Sequence, residues 1–166
     1  MAVSSGTAKL TLPSDTQILI TREFDAPAHL VYAAYTTPEH VVRWFAGRNG
    51  TVTSAEIDLR VGGTWRYVMD VASGGFEIAF HGEFHELVPN ERIVTTEVFE
   101  GMPDGTGGGE TLNTITFTEA DGRTTLEILS ECGSREVRDA ILQSGMEDGM
   151  QGSMDALEEV AVRLRG

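Results

Sequence analysis

A second cysteine is missing from the sequence: Cys132 stands alone, so no intramolecular disulfide forms, and a lone cysteine near a strand end reads as structural. Basic charge is nearly as scarce. Twelve Lys and Arg face 26 Asp and Glu, a formal net charge of −14, and Lys9 is the one lysine. So acidic a surface repels a phosphate backbone and an anionic bilayer, which removes nucleic acid and membrane from the expected partners. No apolar run approaches the ~20 residues that span a bilayer. The opening stretch, Met1–Ser14, is small and polar rather than basic and then apolar, unlike a secretory signal. Together with the single cysteine this gives a cytoplasmic expectation. Residues 1–14 read as a flexible N-terminal tail, and residues 15–166 as one domain whose 40% hydrophobic content suffices for a core.

What is present first suggests chemistry at "FHGEFHELVP", where His81 and His85 stand four apart with Glu83 between them. On a helix that spacing could share a metal. The period here is two, however. Phe76, Ile78, Phe80 and Phe84 fall on one set, and Glu77, His81, Glu83 and His85 on the other, which marks a half-buried strand. Along a strand the two histidines lie about 13 Å apart. Each zinc–ligand bond is about 2 Å, so one ion cannot hold both. The histidines are therefore expected on an outer, solvated face, and no metal or cofactor is implied.

Strand and helix patterns divide the rest. Thr16–Phe24 alternates as a first strand, and two short helices follow, one in "DAPAHLVYAAY" and one opened by Thr37-Pro38 and carrying Val41, Val42, Trp44 and Phe45. Residues 51–58, 64–71, 76–88, 92–99, 111–118 and 124–130 are rich in β-branched and aromatic side chains and are separated by turn signals, an antiparallel meander. Residues 134–165 are helical. Leu142, Met146, Met150, Leu157, Val160 and Leu164 form an apolar stripe there, with a break expected near Gly145. The run "GMPDGTGGGE" lacks the lysine and hydroxyl residue of a phosphate loop and reads as a flexible hairpin connection at a pocket rim.

Four motifs carry a resemblance. "FDAPAHLVYAAYTTPEHVVRWF", "DLRVGGTWRY", "GEFHELVPNERIV" and "SGMEDGM" resemble, in order, segments of the family related to the C-terminal domain of the Hsp90 ATPase activator, within the Bet v 1-like, START-related (SRPBCC) superfamily. The resemblance covers nearly everything from Ile18 to Leu164. It departs at Met150, near which the family often has a tryptophan. It implies an α+β helix-grip fold: a curved antiparallel sheet of about six or seven strands wrapped on a long C-terminal helix, with two short helices after the first strand.

In that fold a cavity is expected between sheet and C-terminal helix. The alternation places Trp65, Tyr67, Met69, Phe80, Phe84, Ile115 and Phe117 inward from the strands, with Trp44, Met146, Met150 and Met154 from helices. Aromatics with methionine suit an adaptable apolar pocket and equally a solid core. Tyr67 and Asn113 are the inward polar candidates, Glu97 a weaker one, and Arg60 is expected to pair with Asp58. No catalytic constellation emerges. The leading expectation is a protein that binds a small apolar or aromatic molecule. The alternatives are an enzyme of the polyketide cyclase or aromatase type using the same cavity, and a protein-interaction module resembling an Hsp90 co-chaperone. A homodimer through an exposed sheet edge stays open, to be decided by sedimentation.

Overall fold

The computed structural model describes residues 8–72, 74–101 and 109–166. Strands β1 (Lys9–Thr11) and β2 (Gln17–Phe24) come first, then helices α1 (Ala28–Thr36) and α2 (Pro38–Trp44). Six more strands follow: β3 (Gly50–Ile57), β4 (Thr64–Val71), β5 (Phe76–Val88), β6 (Arg92–Phe99), β7 (Gly109–Ala120) and β8 (Arg123–Glu131). Helices α3 (Arg135–Gln143) and α4 (Met146–Leu164) come last. All eight strands join one antiparallel sheet in the order β1-β2-β8-β7-β6-β5-β4-β3. Strands β3 to β8 run as a meander, and the connection carrying α1 and α2 crosses from β2 to the far edge at β3. This is an α+β helix-grip fold.

The period-two pattern decides which face each strand buries. Trp65, Tyr67 and Met69 of β4 are buried while Thr64, Arg66 and Asp70 are exposed. On β5, Phe84 is buried and His81, Glu83 and His85 are exposed, so the histidines do lie on the outer face. Burying these apolar side chains contributes roughly 1.5–3 kcal/mol each. The β7–β8 hairpin turns on Asp121 and Gly122, with φ of 55° and 76°. Positive φ at both central residues twists a two-residue turn in the sense that antiparallel strands need.

The helical C-terminal segment breaks where glycine permits it. Gly145 has φ of 85°, between α3 and α4. Ser134 caps α3 by accepting from the Val137 amide at 3.1 Å. Thr37 does stand at the N-cap of α2, though its side chain makes no cap bond; its carbonyl accepts from the His40 and Val41 amides, both at 2.9 Å.

Two expectations need correction. In the segment read as a tail, Lys9–Thr11 pairs with β2, and Ala8 is clamped by Gln151, which accepts from its amide at 3.0 Å and donates to its carbonyl at 2.8 Å. Three residues give too short a pattern for alternation to register. Leu164, placed on the apolar stripe, is exposed at the end of α4, while Met154 is buried as expected. The connection "GMPDGTGGGE" falls largely on residues 102–108, outside the described residues.

A buried ion pair fastens α4 to the sheet. Arg22 on β2 is 3% exposed; its Nη2 donates to Glu158 Oε1 at 2.8 Å, and its Nη1 lies 3.0 Å from Asp155. Glu158 Oε2 accepts from the Asp25 amide at 3.0 Å, so both carboxylate oxygens are engaged. Two desolvated charges are tolerable only when satisfied in this way.

Candidate ligand-binding site

A cleft of about 50 Å³ opens between the sheet and helices α1 and α2. Tyr35 and Thr36 reach it from α1, Trp44 and the following Phe45 from α2. The sheet supplies Ile57 from β3, Trp65 and Tyr67 from β4, Phe84 from β5, Ile93, Thr95 and Glu97 from β6, and Asn113 and Ile115 from β7.

The aromatic wall is interlocked. Tyr35 tilts against Trp44 at 5.0 Å between centroids, Phe45 meets Tyr67 edge-on at 4.8 Å, and Trp65 lies 4.6 Å from Tyr67. Trp44 is fixed by an indole N–H donated to the Ala34 carbonyl at 2.9 Å. Trp65 donates to Thr95 Oγ1 at 2.9 Å, and the Thr95 hydroxyl lies 3.0 Å from the Glu83 and Thr96 carbonyls. Gly82 stands opposite Trp65 in the β4–β5 register; a Cβ there would collide with the Thr96 carbonyl and come within 2.6 Å of the indole nitrogen. The glycine is thus what leaves room for the indole nitrogen to reach Thr95.

A polar chain crosses this apolar wall. Ser130 donates to Asn113 Oδ1 at 2.8 Å, with Thr111 at 3.4 Å from the same oxygen. That turns Asn113 Nδ2 toward Glu97, and it donates to Oε1 at 2.7 Å. Glu97 is half-buried on β6 and lines the cleft. Burial pushes its carboxyl above the ordinary range, and the Asn113 bond pulls it partly back. Burial, with the nearby Glu97 charge, also holds the Tyr35 phenol far up. Tyr67 is raised by burial first and then by Tyr35 and Glu97. Both tyrosines therefore stay neutral hydroxyls near physiological pH. Among the described residues neither hydroxyl is hydrogen-bonded to protein, and Oε2 of Glu97 has no donor.

Of the residues expected inside, Trp44, Trp65, Tyr67, Phe84, Asn113 and Ile115 come together at the cleft. Met69 belongs to a second apolar cluster with Ala46 and Val52. Phe80 is half-buried against Phe45 and Phe99, and Phe117 packs on Tyr32 and Tyr35. Met150 and Met154 are buried in the main core and Met146 packs on it, but no residue of α4 lines the cleft. The cause lies in the segment after α2. Ser153 donates to the Phe45 carbonyl at 2.7 Å, and a Cβ at Gly47 would come within 2.8 Å of the Ser153 amide. This close seat puts α2 between α4 and the far half of the sheet. Tyr35, Thr36, Phe45, Ile57, Ile93 and Thr95 were missed by sequence reasoning. Thr95 and Glu97 share the alternation of buried Ile93, a signal that was legible; for Tyr35 the signal was its one-turn spacing from buried Val31 and Tyr32.

The outer face carries a separate network. Arg66 donates through Nε and Nη2 to Glu100, both at 2.9 Å, and His81 Nδ1 lies 2.7 Å from the same carboxylate. Arg66 first, then His81, lower Glu100 to about 2. Arg60 pairs with Asp58 at 2.9 Å, as expected. Among the described residues no three His, Cys, Asp or Glu come together as a metal site, and no helix is long and apolar enough to cross a membrane.

Among curated proteins no relative matches the chain by sequence. Solved structures match throughout the fold. A Rhodobacter sphaeroides protein superposes with a TM-score of 0.85 at 23% identity, covering 95% of this chain and 99% of its own. A Chromobacterium violaceum protein is similar at 29% identity and a TM-score of 0.73, covering 87% and 96%. An AHSA1-like protein from Aeromonas hydrophila matches at 20% identity and a TM-score of 0.62, covering 88% and 93%. The family model described as "Activator of Hsp90 ATPase homolog 1-like protein" matches residues 25–161, and the chain belongs to that family.

Proposed function

We propose that this protein binds a small molecule whose polar head enters the cleft between the sheet and α1–α2. The observation that carries the reading is the Glu97 carboxyl, held by Asn113 inside an aromatic wall with one oxygen free toward the cleft. Glu97 is half-buried and Oε2 is not sealed from the cleft, so a partly desolvated carboxyl with one oxygen lacking a protein donor is suited to a ligand that completes it. At about 50 Å³ the cleft holds a few waters or a small head, well short of the ~150 Å³ void that encloses benzene. The apolar body of the ligand would therefore lie at the mouth or displace side chains there. The free thiol of Cys132 fits a reducing, cytoplasmic setting.

A protein-observed NMR screen of fragments of every charge tests this. Hits should shift the resonances of Trp65, Tyr67, Ile93 and Ile115. Hits confined to other surfaces, or none at all, would overturn it.

Glu97 also favours a second reading, a cyclase or aromatase-type enzyme in which this carboxyl exchanges a proton with the bound substrate. A raised carboxyl is suited to proton transfer near neutral pH. Turnover of an aromatic polyketide mimic by the wild type and not by Glu97→Gln is the outcome this reading requires. For the co-chaperone alternative only family membership speaks; a pull-down with Hsp90 decides it.

A further inference from the structure

The ligand-site reading leaves open what kind of head the cleft accepts, and the distribution of charge narrows it. Thirteen residues line the cleft; Glu97 is the one acid, and no Lys, Arg or His is among them. An anionic head would meet a like charge with no counter-ion. Asn113 supplies one donor, to Oε1, and its amide is oriented by the Ser130 and Thr111 hydroxyls, so the chain of hydrogen bonds ends on Oε1 and leaves Oε2 accepting from no described residue. The same cleft is lined by paired rings: Tyr35 against Trp44, and Trp65 against Tyr67. Ring faces carry partial negative charge and attract cations, most strongly where water is excluded. The net charge of −14 adds a field that concentrates cations around the molecule.

We propose, resting on the ligand-site reading above, that the cleft receives the ammonium head of an organic amine. The Glu97 carboxylate is its counter-ion, and Tyr35, Trp65 and Tyr67 are its aromatic walls. The small volume fits such a head, and the Tyr35 and Tyr67 hydroxyls, bonded to no described residue, are left to orient toward it. A cation beside Oε2 supplies the partner that protein groups do not, and it favours the ionised form that burial disfavours.

Three probes of nearly one shape test this on the intact protein: benzylamine, benzyl alcohol and benzoate, each titrated at millimolar concentration and followed by two-dimensional NMR. Benzylamine should bind at least about tenfold more tightly than benzyl alcohol, with shifts at cleft residues, and benzoate should not bind there. In Glu97→Gln the advantage of amine over alcohol should shrink to within about twofold, since the charge is lost and the shape kept. Equal or tighter cleft binding by benzyl alcohol or benzoate overturns the amine assignment while leaving a ligand site in place. Benzylamine shifts confined to the outer acidic face, around Glu83 and His85, overturn it as well. If Glu97→Gln does not fold, the comparison of the three probes on the wild type still decides.

Discussion

Asn113 on β7 and Glu97 on β6 are joined by a 2.7 Å hydrogen bond inside the sheet's concave wall, and it engages only one of the two carboxylate oxygens. A carboxyl kept in this state has a cost that pH reveals. Its folded value is raised, chiefly by burial. Between the ordinary carboxylate range and that raised value the folded protein holds a proton that the unfolded chain releases, so stability falls as pH rises through this window. Glu97→Gln should therefore raise the melting temperature at pH 7 to 8 by roughly 2–4 °C, equivalent to about 1 kcal/mol in a domain of this size. The gain should vanish below about pH 4, where both states of the wild type are protonated. Calorimetric scans of both proteins across this range check it.

Gly82 and Trp65 are a second dependent pair. Gly82→Ala introduces a methyl that meets backbone at the Thr96 carbonyl and the indole at its nitrogen. Neither is the free end of a flexible chain, so the sheet must shift. A loss of about 2–3 kcal/mol is expected, within the range for overpacking, with a red shift of Trp65 fluorescence as the indole leaves Thr95. Denaturant titration and emission spectra measure both.

For the ion pair that fastens α4, Glu158→Ala removes the buried carboxylate partner of the Arg22 guanidinium and leaves the partly exposed Asp155 beside it. Breaking a buried pair from one side costs about 3–5 kcal/mol. Changing both residues, as in Arg22→Met with Glu158→Leu, should recover a large part of that loss. Urea unfolding of the single and double variants gives the comparison.

How legible these features were follows the range of the interaction. Strands β4, β5 and β6 were readable to the residue because each has eight or more positions of alternation between clear turn signals. The break at Gly145 was readable because a left-handed residue there is cheap only for glycine. The Arg22–Glu158 pair spans 136 positions in sequence, and an inward arginine on β2 looks no different from an outward one until α4 is in place. The same limit moved the cavity. The methionines of α4 had the right composition for a pocket lining, but the seat of Gly47 on Ser153 interposes α2, and local pattern does not encode that contact.

On the outer face, Glu100 lies well below the ordinary carboxylate range, at about 2. A lowered folded value contributes stability that is present above the unfolded value of about 4.5 and is lost as pH falls toward 2. The network is largely in solvent, so the expected contribution is small: Glu100→Gln should cost about 0.5–1 kcal/mol at pH 7, less in high salt. His81→Gln with His85→Gln should cost under about 1 kcal/mol, as exposed sites do. Phe84→Ala, which removes a side chain only 5% exposed, should cost about 3–5 kcal/mol. Thermal and denaturant unfolding of these three variants checks the register of β5.

The claim that Glu97 and its aromatic neighbours form a ligand site is tested most directly by intermolecular nuclear Overhauser effects between bound benzylamine and the protein. The predicted result is contact from the methylene beside the ammonium to the rings of Tyr35, Trp65 and Tyr67 and to the methyl groups of Ile93 and Ile115. Contacts to Met150 and Met154 on α4 instead, or to the outer face alone, would contradict it.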